Sequence, residues 1–117
     1  MKKLLCSNFA FLFLREATKS GNDFSGNWVW IYPERKGSYT KTSQKTDAGI
    51  MITETFSVDL KESDANNIIS CPSEPVLLKI ATADGNILMG SDEYPVFFTY
   101  TGDTYTIKIT FTAQSSV

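Results

Sequence analysis

Glu54 is the residue whose position is hardest to explain as ordinary surface. It lies in residues 50–60, IMITETFSVDL, where Ile50, Ile52, Phe56, Val58 and Leu60 alternate with Thr53, Thr55, Ser57 and Asp59. Successive side chains of a strand point to opposite faces, so Glu54 shares the apolar face. A carboxylate there must be paired, hydrogen-bonded or hold its proton to a higher pH than usual, and such groups gather at functional sites. Two other placements stay open: a bulge that turns it outward, or a position near the mouth of a barrel. Arg35, the one arginine beyond residue 15, is its natural partner. No second carboxylate can be set beside it from sequence, so the acid–base pair of a glycosidase is not expected.

Aromatic residues form the second constellation. Residues 25–32 read SGNWVWIY and hold both tryptophans of the chain, two positions apart. Extended, they place Trp28, Trp30 and Tyr32 on one side and Val29 and Ile31 on the other. Such a row is either a stacking platform for a ligand or the floor of a core. The core reading leads, because a large aromatic on an inward face buries area worth several kcal/mol. Nucleophilic and metal chemistry are absent from the pattern. The chain has no histidine, so the usual base of a serine or cysteine triad is missing, and no serine stands in a G-x-S-x-G elbow. No spacing suits a metal: Asp92-Glu93 and Glu62-Ser63-Asp64 are acidic clusters without the D-x-D-x-D-G order of a calcium loop. Neither an enzyme nor a cofactor is therefore expected. A net charge of −2 without any Lys/Arg run leaves no footprint for nucleic acid.

The elements that must position these residues read as strands. Residues 104–112, TYTIKITFT, set Tyr105, Ile107, Ile109 and Phe111 against Thr106, Lys108 and Thr110; PVLLKIATA (75–83), NILMG (86–90) and PVFFTYT (95–101) lie between the two alternating stretches. One wet and one buried face is the mark of antiparallel sheet. Turn signals stand at residues 33–37, 46–49, 84–86 and 101–104, and KESDANN (61–67) reads as a polar loop. No helical periodicity is evident after residue 24. The expected fold is all-β, an antiparallel meander of seven or eight strands closed as a barrel or folded as a β-sandwich. Its expected buried residues are Ile52, Phe56, Val58, Leu78, Ile80, Phe98, Tyr100, Ile107 and Ile109.

Residues 1–20 have the layout of an export signal, with Lys2 and Lys3 ahead of an apolar stretch from Leu4 to Leu14. At about eleven residues the stretch is too short to span a bilayer, which takes about twenty. The alternative is a short N-terminal helix. A signal places the protein outside the cytoplasm, secreted or periplasmic, with residues 24–117 as one all-β domain; without one it is cytoplasmic. Of two cysteines, Cys6 lies in this segment and Cys71 beyond it. Cleavage would leave Cys71 alone, whereas an uncleaved chain admits a bridge between the two.

Gly26-x-Trp28 at the start of an all-β meander resembles the opening strand of lipocalin-like barrels. The order SGNWVW, SQK (43–45), TFSV (55–58) and NNIISC (66–71) also resembles a group of small exported bacterial proteins that begin SGxWxW. The resemblance implies that Trp28 closes one end of a barrel. It also implies a cysteine partner for Cys71 at the place Phe56 occupies here. The function expected on these grounds is a non-enzymatic barrel that binds a small apolar ligand or a protein partner, as a monomer, through Trp28, Trp30, Glu54, Phe56, Phe98 and Tyr100. The alternative is a protein-directed inhibitor or immunity-type protein that acts through its loops. Core volume separates the two, since an interior filled by aromatic side chains has no room for a ligand.

Overall fold

The N-terminal segment does not stand apart as a helix. In the computed structural model, which describes residues 2–21, 23–33, 36–47, 49–69, 74–82, 85–91, 93–102 and 106–116, it forms strand β1 (Lys2–Phe13). A 3-10 turn, Leu14–Glu16, leads to β2 (Thr18–Ser20) and β3 (Asp23–Ser25), which make a small two-stranded sheet. There follow β4 (Val29–Ile31), β5 (Gly37–Thr46), β6 (Gly49–Lys61), helix α1 (Glu62–Ile69), β7 (Val76–Thr82), β8 (Gly85–Met89), β9 (Phe97–Gly102) and β10 (Thr106–Ser116).

The main sheet has eight strands in the order β8-β7-β1-β5-β6-β10-β9, with β4 also on β1, and every pairing is antiparallel. One edge of β1 runs along β7 from Cys6 opposite Thr82 to Phe13 opposite Val76. Its other edge is shared: β5 takes Lys2 to Cys6, and β4 takes Phe9 to Phe11. β4 and β5 thus divide that edge between them, and Pro33, just after β4, has no N–H to give a ladder. An isolated bridge joins Val76 to Val96, each N–H donating to the other's carbonyl at 2.9 Å. Two hairpins share one closing device. In Thr46-x-x-Gly49 and Thr82-x-x-Gly85 the threonine hydroxyl donates to the glycine carbonyl, at 2.9 and 2.7 Å. The glycines have φ of 122° and 119°, which L side chains rarely adopt.

The core forms where the strands' apolar faces meet. Phe9 stands edge-on to Phe56 (5.1 Å between centroids) and to Phe111 (6.0 Å), and Phe98 lies 5.8 Å from Phe111. Around them are Leu78, Ile80, Met89, Val58, Leu60 and Ile109, all buried. Gly37 is required by this packing: a Cβ there would stand 2.6 Å from the Phe56 ring. Helix α1 covers the group with Ala65 and Ile68, whose spacing of three lays both on one helical face. β1 is buried on its second face too, through Ala10 and Leu12, and Leu12 pairs with the buried Leu77 of β7. Gly26 packs against the Leu12 side chain there.

The all-β antiparallel reading holds, with three local corrections. Residues 62–69 are helical where a loop was expected; Glu62 and Asp64 in the first turn suit the helix dipole, and burial of Ala65 and Ile68 supplies what eight residues could not. Tyr100, expected inside, is 45% exposed, because beyond Phe98 the edge strand β9 runs past the core. Ile52 and Ile107 are half-buried, while Phe56, Val58, Leu78, Ile80, Phe98 and Ile109 are buried as expected. Two predictions follow from the place of β1. Phe9→Ala should cost about 3–5 kcal/mol in urea unfolding, against about 0.5 or less for Tyr32→Ala at a 70% exposed site. A chain that begins at residue 21 should show no cooperative urea transition, since β7 would lose its inner neighbour and β4 its sole partner among the described residues.

Candidate functional site

Glu54 sits where the inner face of β6 leaves the core: Phe56, Val58 and Leu60 are buried, Glu54 and Ile52 half-buried, and Ile50 exposed. Its cross-strand neighbours are Lys41 on β5 and Ala113 on β10. Tyr39 pairs with Phe56 and so lies diagonal to Glu54, a separation that a tyrosine spans. Its hydroxyl donates to Glu54 Oε2 at 2.6 Å. Tyr39 is 5% exposed. Burial pushes its phenol pKa far above the ordinary value, and the hydrogen bond to Glu54 and that residue's charge push the same way. Tyr39 therefore stays a neutral donor at any physiological pH. The carboxylate opens on a cavity of about 160 Å³ lined by Glu54, Ala113 and Ser115 on one side and Leu88, Gly90, Ser91 and Tyr94 on the other. The second wall is a tight turn, in which Ser91 N–H donates to the Tyr94 carbonyl (3.0 Å) and Tyr94 N–H to Ser91 Oγ (2.9 Å).

The six expected site residues do not converge. Phe56 and Phe98 meet around Phe111 as core packing, with Phe56 and Phe111 stacked at 6.1 Å. Glu54 lies at the end of the sheet, and Tyr100 at an exposed edge. Trp28 and Trp30 fall on the opposite side from the one expected. Ile31 pairs with Phe9 and is buried with it, so Trp30, opposite Ala10, takes the outer face and is 39% exposed. Alternation in residues 28–32 was legible, but the pairing with β1 decides which side is inward. Trp28 is half-buried on that outer face. Its Nε1–H donates to the Phe24 carbonyl at 3.2 Å, and Lys79 Nζ stands 4.4 Å from its ring centroid. It packs β3 and β7 together outside the core rather than closing an interior.

Two features went unseen in the sequence. Tyr39 was missed because its role depends on the β5–β6 register. The signal was there in Thr46-x-x-Gly49, which fixes the hairpin and so places residue 39 beside 54 and 56. The second is a groove of about 310 Å³ lined by Phe11, Leu12, Phe13, Glu16, Asn27 and Val29. Beside it Arg15 pairs with Glu74 at 3.0 Å and lies over the Phe13 ring at 5.1 Å.

Arg35, Cys71 and Tyr105 lie outside the described residues, and so does any pairing of Cys71. Cys6 is a buried free thiol whose Sγ donates to the Asn8 carbonyl at 2.7 Å, where a register shift interrupts the ladder with β7. Burial pushes its pKa up. Among the described residues no group of three or more His, Cys, Asp or Glu is placed to hold a metal, and no helix is long and apolar enough to cross a membrane.

Sheet and core define an antiparallel all-β domain. No family model, curated protein or solved structure matches the chain.

The phenol at Tyr39 carries a pH-dependent prediction. The folded state holds its proton more tightly than the unfolded chain, so its contribution is complete below about pH 10 and is lost as pH rises beyond that. Tyr39→Phe should cost about 1–2 kcal/mol at pH 7 by loss of a hydrogen bond to a carboxylate. Between about pH 9.5 and 11.5 its urea midpoint should fall less steeply than that of the wild type.

Proposed function

We propose that the protein is a non-enzymatic binding module that engages a protein partner through its outer surface. The observation that carries this reading is β4 with the residue after it, where Val29, Trp30 and Tyr32 are 40%, 39% and 70% exposed within four consecutive positions. Tryptophan and tyrosine so placed are the side chains that anchor protein interfaces. β4 pairs with β1 and with no other strand among the described residues, so its outer edge is open to an added extended segment. The groove beside Val29 offers that segment a pocket for an apolar side chain. Packing of Phe56 and Phe98 on Phe111 argues against an apolar ligand among the residues first expected to hold one.

The finer architecture in this reading is a barrel of lipocalin-like outline. Its support is the Val76–Val96 bridge, which ties the approach to β9 back onto β7. Residues 2–13 stay with the domain, because β4, β5 and β7 all depend on them. An inhibitor or immunity-type protein is the form such a module takes when its partner is an enzyme. A second reading rests on the groove, whose volume is at the lower end for small-molecule sites, about 300–1,000 Å³, and which would take a small apolar ligand.

Native mass spectrometry of protein purified from its own host separates the readings. A bound protein mass is expected, present for the wild type and absent for a Trp30→Ala/Tyr32→Ala variant with unchanged urea midpoint. A bound small-molecule mass that persists in that variant would replace the partner reading with the second one.

A further inference from the structure

We propose that the cavity at Glu54 binds a small cationic head group, a primary ammonium or a guanidinium. The site shares no lining residue with the β4 surface, so the two proposals stand or fall separately.

Glu54 Oε2 accepts the Tyr39 hydroxyl at 2.6 Å, while Oε1 has no hydrogen-bond partner among the described residues. No buried side-chain nitrogen or oxygen among those residues is left unpaired, so Oε1 is not sealed in the core, and Glu54 is one of the residues that line the cavity. The Tyr39 hydroxyl donates to Oε2, so that oxygen is already engaged and oriented. A carboxylate with one oxygen held and the other unpartnered, among the residues that line a cavity, attracts a cation and repels an anion. A neutral guest would take away solvent without replacing its charge–dipole contacts.

Lys41, directly opposite on β5, is exposed and makes no ion pair with Glu54. The charge is thus not cancelled by its nearest strand neighbour. Ser91, Tyr94 and Ser115 are among the lining residues, and a serine or tyrosine hydroxyl is a group that can accept from an N–H donor. Size sets the class. At about 160 Å³ the cavity exceeds what a single water needs and falls below the roughly 300 Å³ of a drug-sized site. It has room for an ammonium or guanidinium with a short alkyl stem.

Such a head group is carried by free amines and by lysine or arginine side chains of other proteins, and the test distinguishes them. The full chain, labelled with ¹⁵N, is titrated with butylammonium, with the isosteric neutral 1-butanol, and with capped lysine (N-acetyl-lysine N-methylamide). Butylammonium should give saturable amide shifts centred on Glu54, Ser91, Tyr94 and Ser115, and 1-butanol should give none there. Glu54→Gln should weaken ammonium binding by about tenfold or more, as loss of a charged hydrogen bond predicts. If that variant does not fold, Ser115→Leu, which fills the cavity and keeps the carboxylate, should weaken binding equally. Tighter binding of capped lysine than of butylammonium assigns the site to a protein side chain, and the reverse order assigns it to a free amine. Equal response to 1-butanol, no saturable shift at these amides below about 0.1 M, or undiminished affinity in the folded variant would overturn the proposal.

Discussion

β1 must satisfy its backbone along two edges and bury its side chains on two faces, and the other elements stand where they meet those four demands. β7 takes one edge; β5 and β4 divide the other. On one face Phe9 and Phe11 enter the main cluster. On the other, Ala10 and Leu12 are buried, and the chain after β3 brings Gly26 against the Leu12 side chain. A fully buried large side chain is worth about 1.5–3 kcal/mol, so a strand that buries three of them within four residues, Phe9, Phe11 and Leu12, outweighs any single loop or hairpin as an organiser.

The division of one edge between β4 and β5 has its own consequence. Where the chain leaves the ladder after Ile31 it presents Tyr32 to solvent, and where it returns it needs Gly37 under the Phe56 ring. Exposed aromatic surface and tight aromatic packing therefore come from one interruption. Pairing also sets which side of β4 faces in. Because Ile31 meets Phe9, the tryptophans cannot share the core, and Trp28 is held instead by Phe24 and Lys79 on the outer layer.

Long alternating stretches were legible because one face is wet. β6 and β10 are neighbours with one buried face each, and their side chains sort by period two. β1 was not, for the opposite reason: a strand covered on both faces reads as an unbroken apolar run, and at the start of a chain that run has the composition of an export signal. Helix α1 went unseen because eight residues give little over two turns, too few to show a period. Its Ala65 and Ile68 matter through the core they cover, a contact that propensity does not encode. Glu54 was legible as an anomaly, since the apolar face around it was plain; its partner was not, since Tyr39 reaches it only in the folded register.

That register links the core to the Glu54 cavity. Between β5 and β6 a slip by one residue would turn every side chain of one strand to the other face. Tyr39 would leave Glu54, stranding a half-buried carboxylate without its donor. Ser38 would then come where Gly37 now clears the Phe56 ring, although a Cβ at Gly37 would already stand 2.6 Å from that ring. Steric fit at one point and a hydrogen bond at the other penalise the same slip, and the Thr46 bond to Gly49 fixes the turn that sets the count. The hydrogen bond that orients Glu54 toward the cavity is therefore also a lock on the hairpin, so the carboxylate is held by the same pairing that packs the aromatic core.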